Sequence, residues 1–249
     1  MLHPLWPGPD WLHPHLLFEA LAYLLGFRLF LALRRRQGDP VGDVVQRGWV
    51  VVGAALGAAL GSRALAWAVD PAALMDNLRD PAWWMTRKTI VGGLLGGWLG
   101  VELTKTRLGL TTSTGDLFVP PLLLAMAVGR LGCFFSGVSD GTHGVETDFI
   151  LGMDLGDGLT RHPTALYEVG VLGLMAGVLA LLPSRRLING DRFRVFLALY
   201  LAWRLFAETL KPPPTPYLGL SAIQVAAFAA LGVLSRDLWR IVGQLRRTS

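Results

Sequence analysis

Stretches of about 20 mostly apolar residues recur along this chain, broken by arginine clusters and by turns rich in Gly, Pro and Asp, and no other feature narrows its possible folds so far. A run of that length crosses the hydrocarbon core of a bilayer as a helix, and in lipid every backbone N–H and C=O must be satisfied within the spanning structure. The 249 residues hold about seven such runs with short connections. With 52% hydrophobic and 16% charged residues, the chain is too apolar and too poor in charge for an ordinary soluble domain. The expected fold is all-α and polytopic, with about seven transmembrane helices in a single membrane-embedded domain over residues 1–249.

The spans are placed at 16–33, 48–69, 89–104, 117–135, 163–182, 193–210 and 218–234. Arg34-Arg35-Arg36 closes the first on the cytoplasmic side, which puts the N-terminus outside and, after seven spans, the C-terminus inside. Of the 23 Lys and Arg, 14 then fall inside, five outside and four (Arg28, Arg63, Arg130 and Arg204) within spans. That bias reads the net charge of +5 as orientation and contact with anionic lipid, and excludes nucleic acid as the partner. Residues 1–15 carry no Lys or Arg, so they lack the basic start of a secretory signal peptide. Residues 70–88, with Trp83-Trp84, are expected as an outer interfacial segment or a plain loop, and residues 137–161 as a polar outer loop. Gly53, Gly57 and Gly61 in the second span, and Gly92, Gly96 and Gly100 interleaved with Gly93 and Gly97 in the third, are spaced for close helix contact. Thr114 or Asp116 is placed to cap the fourth span, and Pro163 to open the fifth.

Arg130 and Arg204 carry the functional signal. A charge deep in a span costs about 3 kcal/mol or more unless it is paired or reaches water. Both arginines fall toward the outer third of their spans, and two guanidiniums at one depth suit a phosphate group, which each grips through paired N–H donors. The alternative is burial against a carboxylate such as Glu19 or Glu208 for helix packing alone. Gly132 and Gly137 follow Arg130 and open the polar loop. Arg161-His162-Pro163-Thr164-Ala165-Leu166-Tyr167-Glu168 forms a second cluster, in which His162, Tyr167 and Glu168 supply a base, a donor and an orienting carboxylate; the alternative for His162 is a capping or headgroup-level residue. His143 is expected solvated in its loop, and Cys133 is expected as a small packing residue whose thiolate is disfavoured unless Arg130 lies close. Glu19 is equally a site or a structural carboxylate. A single cysteine excludes an intramolecular disulfide and a cysteine-cluster metal site. No Asp/Glu/His set stands out at ligand spacing within the spans, and the acidic 140–157 loop reads as solvated rather than a calcium site, so neither metal nor cofactor is expected.

Several of these residues, in order, resemble a known family. Tyr23-Leu-Leu-Gly-Phe27, Gly92-Gly93-Leu-Leu-Gly96, Gly129-Arg-Leu-Gly132 with Phe134 and Gly137, the Arg161–Glu168 block, Tyr200-x-x-x-Arg204-x-x-x-Glu208 and Gln224 are similar to the prolipoprotein diacylglyceryl transferases over nearly the whole chain. The resemblance implies a seven-helix bacterial inner-membrane enzyme with its active site toward the periplasm. Such an enzyme takes a diacylglyceryl group from phosphatidylglycerol, attaches it to a lipobox cysteine thiol and releases glycerol phosphate. It implies essential roles for Arg130 and Arg204, with Gly92, Gly93, Gly129, Gly132, Cys133, Ser136, Gly137, Asp140, Arg161 and Glu208 around the substrate. The chain departs from the family pattern at Val91, where a histidine is usual, at Cys133 and Ser136, where asparagines are usual, at Glu19 for a tyrosine, and at Val138 for a glutamate, with Asp140 as a substitute.

Three functions remain open on the sequence. The first is transfer of the diacylglyceryl group from an anionic phospholipid to a protein thiol, with Arg130 and Arg204 neutralising the departing phosphate, His162, Glu19 or Tyr167 as the base, and residues 139–160 as an acceptor-facing lid. The second is transfer of a lipid or glycerophosphate unit to a small molecule, sugar or other lipid. The third is a non-catalytic membrane protein that binds phospholipid, motivated by Val91.

Overall fold

A computed structural model of the chain describes residues 5–9, 11–183, 187–212 and 215–246. Arg185, Arg186 and Arg247, counted above as inner-side charges, lie outside the described residues, as do His3, Pro213 and Pro214. The structure is predominantly helical. It comprises α1 (Pro14–Gln37), α2 (Val44–Val69), α3 (Pro71–Asp76), α4 (Pro81–Thr86), α5 (Ile90–Leu108), α6 (Val119–Ser136), α7 (Thr164–Leu181), α8 (Asp191–Ala207) and α9 (Ala222–Arg246), with a hairpin of β1 (Met153–Asp154) and β2 (Thr160–Arg161). Among the described residues, four stretches are long and apolar enough to cross a membrane: Pro14–Gln37, Val44–Val69, Asp116–Asp140 and Thr164–Leu181. Much of their apolar surface points outward, as at Leu16, Leu24 and Phe27 on α1 and at Leu56 and Leu60 on α2. Lipid-facing helices carry such a surface, whereas a water-soluble monomer buries it.

The chain forms two compact units. The first takes residues 1–38 and 115–212 and contains α1, α6, α7, α8 and the hairpin. Gly26 lets α1 approach α6, since a Cβ there would stand 3.1 Å from the Ala125 side chain. Phe30 stacks on Phe118 with ring centroids 4.8 Å apart. Contrary to the expectation that Thr114 or Asp116 caps the fourth span, no side chain among the described residues caps it, and the Asp116 carboxylate instead accepts the backbone N–H of Gly190 at 2.7 Å and of Phe193 at 3.0 Å, and so satisfies the start of α8. The 137–161 segment is also more ordered than a polar loop. A 3-10 turn over Gly137–Asp140 leads into it, and β1 and β2 pair antiparallel. The Val145 N–H is donated to Leu210 O at 2.8 Å and the His162 N–H to Val145 O at 3.1 Å, which ties the segment to the ends of α7 and α8.

The second unit takes residues 39–114 and 213–249 and contains α2 to α5 and α9. Asp43 caps α2 and Thr89 caps α5 through their side chains. The glycine faces of these two helices meet antiparallel: Cβ atoms on Gly57 and Gly61 would overlap the carbonyls of Gly96 and Gly92, and one on Gly53 would stand 2.9 Å from Gly100 O. With no side chain between them, the backbones come into direct contact. Residues 70–88 form the short α3 and α4, each capped by an aspartate. The last helix starts at Ala222 rather than 218 and runs on to Arg246, past the expected end at 234. Its start is set by a capping box, Ser221 Oγ accepting from Gln224 N at 3.1 Å while Gln224 Oε1 accepts from Ser221 N at 2.9 Å. Leu218 and Gly219 have φ of 54° and 84°, a turn that excludes them from the helix.

Candidate functional site

Arg130 sits near the end of α6, Glu168 in the first turns of α7, and Tyr200 and Arg204 one turn apart on α8. The four-residue spacing of Tyr200, Arg204 and Glu208 lines them up on one face of that chain segment. Packing of the three helices brings all five side chains together. Glu168 Oε2 lies 3.0 Å from Arg130 Nη2 and 3.0 Å from Arg204 Nη1, and Tyr200 Oη donates to Glu168 Oε1 at 2.6 Å. Arg204 also pairs with Glu208, which lies 3.5 Å from Lys211 Nζ.

This centre is almost dry: the Glu168 side chain is 3% exposed and that of Arg204 4%. Buried charges persist when paired and hydrogen-bonded, and loss of one partner from such a pair costs about 3–5 kcal/mol. The pairing is nonetheless incomplete. Among the described residues, Nε of Arg130 and Nε of Arg204 are buried donors with no hydrogen-bond partner. Three cations face two carboxylates, leaving one positive charge and two N–H donors unmatched. Burial, reinforced by the nearby Arg204 guanidinium, pushes the Lys211 ammonium down to about 8.

Beside the arginines lies a second polar group. Cys133 follows Arg130 by one helical turn, and its Sγ is 3.8 Å from Arg130 Nη1. It is buried, but with polar neighbours rather than as packing alone, since His15 Nδ1 on α1 stands 3.9 Å away. Asp140 Oδ1 is 2.7 Å from the same His15 nitrogen, and Thr142 donates to Asp140 Oδ2 at 2.6 Å. Asp140 is therefore not part of a solvated acidic loop. Glu19 accepts from Tyr23 Oη at 3.1 Å and faces His15 Nε2 at 3.9 Å.

The remaining candidates divide. His162 Nδ1 and Tyr167 Oη are 3.1 Å apart, but Glu168, expected to orient them, directs its carboxylate to Tyr200 and the arginines: adjacent residues of a helix point about 100° apart. Arg161 pairs with Asp157 at 2.8 Å and with Glu146 at 4.0 Å. His143 is half-buried rather than solvated; its Nδ1 is enclosed without a partner, and burial, with Arg161 next, lowers its pKa. It lines a small cleft with Cys133, Gly137, Thr142 and Thr164. Gly132 admits Phe18, whose Cβ would be 2.7 Å from an added methyl, while Gly129 faces open space. Gly137 has φ of 62° and turns the chain out of α6, and Ser136 spends its hydroxyl on Gly132 O at 2.9 Å. Gly92 and Gly93 belong to the second unit, on the α5 side of its helix pair. His15 and Lys211 escaped the sequence reading. Lys211 continues the row of Arg204 and Glu208 and was legible by spacing; His15 lies 118 residues from Cys133 and carries no local signal.

A family profile described as prolipoprotein diacylglyceryl transferase matches residues 17–241. Among curated proteins, the phosphatidylglycerol–prolipoprotein diacylglyceryl transferase of Bordetella parapertussis is 34% identical over 232 residues, covering 86% of this chain and 83% of that protein. The protein of the same name from Bacillus mycoides is 33% identical over 159 residues, covering 58% of this chain and 56% of its own length.

Proposed function

Since the chain belongs to the prolipoprotein diacylglyceryl transferase family, we propose that it is a transferase that moves a diacylglyceryl group from phosphatidylglycerol to the cysteine thiol of a prolipoprotein. The observation that carries this reading is the pair of buried guanidiniums around Glu168, each with an unpartnered Nε–H. Counted with Glu168, Glu208 and Lys211, the centre carries one surplus positive charge, which matches the single charge of a phosphodiester. When the thiol displaces glycerol phosphate, the phosphate takes up a second negative charge, and donors already aimed at it in a dry site stabilise that change most. Arg130 and Arg204 hold the phosphate in this scheme, and Glu168, Tyr200 and Glu208 hold the arginines. Glu19 and the His162–Tyr167 pair stand as candidates for taking the acceptor proton, and residues 139–160 cover the acceptor side.

The family match and the four apolar stretches support a multi-pass membrane protein. We extend this to seven spans, α1, α2, α5, α6, α7, α8 and α9, in the bacterial inner membrane, with the N-terminus and the site toward the periplasm and both units serving one transferase domain. The test is release of glycerol phosphate, and mass gain on a lipobox peptide, in micelles containing phosphatidylglycerol. Arg130→Ala and Arg204→Ala are each expected to lower the rate about 100- to 1,000-fold, the cost of losing one preorganised donor. A well-folded Arg204→Ala protein with undiminished rate would overturn the assignment.

A further inference from the structure

His15, Cys133 and Asp140 are not used by the donor chemistry above. One ligand atom from each (His15 Nδ1, Cys133 Sγ and an Asp140 oxygen) lies within 4.8 Å of the other two. The carboxylate and the sulfur both face the same ring nitrogen, at 2.7 Å and 3.9 Å. Without an ion, the imidazole N–H and the Cys133 thiol both turn to the Asp140 carboxylate, so the three ligand atoms converge on one point. A relay of hydrogen bonds through the ring would place the carboxylate and the sulfur on opposite nitrogens. A metal ion that replaced the N–H and thiol protons would take one ligand atom from each of the three residues. A carboxylate, Glu19, stands 3.9 Å from the other ring nitrogen, beyond hydrogen-bond distance but on the side from which a metal-bound histidine is commonly oriented. Cys133 is buried and the Asp140 side chain is only 8% exposed, so this is not an incidental cluster of surface acids.

We propose that His15, Cys133 and Asp140 form a zinc site with one open coordination position, and that the acceptor thiol binds there. A mixed nitrogen, sulfur and oxygen set suits Zn2+, and three protein ligands leave a tetrahedral ion one position for a substrate. The metal site stands by itself, whereas the thiol's place in it rests on the proposed transfer. Cys133 lines a cleft together with Thr142, His143 and Thr164. Arg130 Nη1 is 3.8 Å from Cys133 Sγ, which makes a phosphate on Arg130 and a thiol on the metal neighbours. Bound there, the acceptor thiol gives its proton to one of the bases named above, Glu19 or the His162–Tyr167 pair. The sulfur electron pair then forms the C–S bond to the terminal glyceryl carbon, the C–O bond to phosphate breaks, and its electrons leave with glycerol phosphate. No oxidant or reductant is required.

The experiment uses the full chain in detergent, purified without a histidine tag. Metal analysis is expected to find one zinc per chain. After chelation, Co2+ is expected to give a thiolate-to-metal charge-transfer band and four-coordinate visible bands. Cys133→Ser and Asp140→Asn abolish both signals, and Glu19→Gln weakens zinc affinity about 10- to 100-fold. A wild-type protein that holds no zinc and gives no cobalt band overturns the site, whatever the variants do; so does zinc retained by folded Cys133→Ser and Asp140→Asn. Adding a lipobox peptide shifts the visible cobalt bands, and a peptide with serine for its cysteine does not; no shift with the thiol peptide overturns the acceptor half. Peptide diacylglyceration that persists at full rate in chelated protein removes zinc from the reaction and leaves the proposed function standing. Zinc bound in a protein that transfers nothing to the peptide does the reverse.

Discussion

Glu168 is the residue on which the site's electrostatics turn, because one carboxylate oxygen is shared by two guanidiniums. Glu168→Gln keeps the shape but leaves Arg130 without its carboxylate and Arg204 with Glu208 alone, two like charges close together in a dry centre. It is expected to lower stability by about 3–5 kcal/mol, read as a fall in Tm in phospholipid-free detergent. Phosphatidylglycerol should restore part of that Tm, since an anion replaces the lost charge; an unchanged Tm in its absence would show that the carboxylate does not hold the pair. Lys211 gives the pH dependence. Folding lowers its pKa from 10.5 to about 8 through burial and the nearby Arg204, against the pull of Glu208, with smaller and opposing effects of Arg130 and Glu168. The unfolded chain therefore binds more protons across that window, so this group's contribution to stability rises as pH goes from about 8 toward 10.5. Its charge acts in the opposite sense on the donor: KM for phosphatidylglycerol should climb as pH passes about 8, and Lys211→Arg should flatten the climb. A pH-independent KM in the wild type would remove Lys211 from the donor site.

At the level of elements, the α2–α5 pair rests on absent side chains. A Cβ on Gly57 or Gly96 would meet the partner backbone, which cannot retreat as a flexible side chain can. Gly57→Leu and Gly96→Leu should each cost about 1–3 kcal/mol, typical of overpacking, seen as a lower Tm. Gly93→Ala is the control, because the nearest atom to its new methyl is 3.7 Å away. Equal behaviour of Gly93→Ala and Gly57→Leu would refute the assigned face. The α8 cap shows the opposite kind of dependence: Asp116 reaches across 74 residues to Gly190 N, so the helix that presents Tyr200 and Arg204 starts where another segment permits. Asp116→Ala should cost about 0.5–2 kcal/mol, the range for losing an N-cap.

For the whole molecule, the charge bias predicts orientation. A fluorescent-protein fusion at the C-terminus should fluoresce and an alkaline phosphatase fusion there should be inactive; the reverse pattern would invert the proposed topology. The apolar runs, the glycine faces and the two buried arginines were all legible in the chain, because bilayer length, helical period and the cost of a buried charge act on residues near one another in sequence. Helix boundaries were legible only roughly, since the cap of α8 and the turn before α9 depend on tertiary contacts and on φ at Leu218 and Gly219. The partners of the charges were legible only in part: Glu208, four residues after Arg204, was named as a possible partner and does pair with it, whereas Glu19 meets His15 and Tyr23 rather than either arginine. Glu168 looked like part of a sequence cluster with His162 and Tyr167, yet the helix turn sends it to Arg130 and Arg204, from elements 38 residues before it and 36 after. His15, Cys133 and Asp140 come together from two helices and a 3-10 turn. Composition and periodicity decide which side chains leave the water, because those costs are local; which of them then meet is decided by the packing of distant helices, and only the tertiary structure shows it.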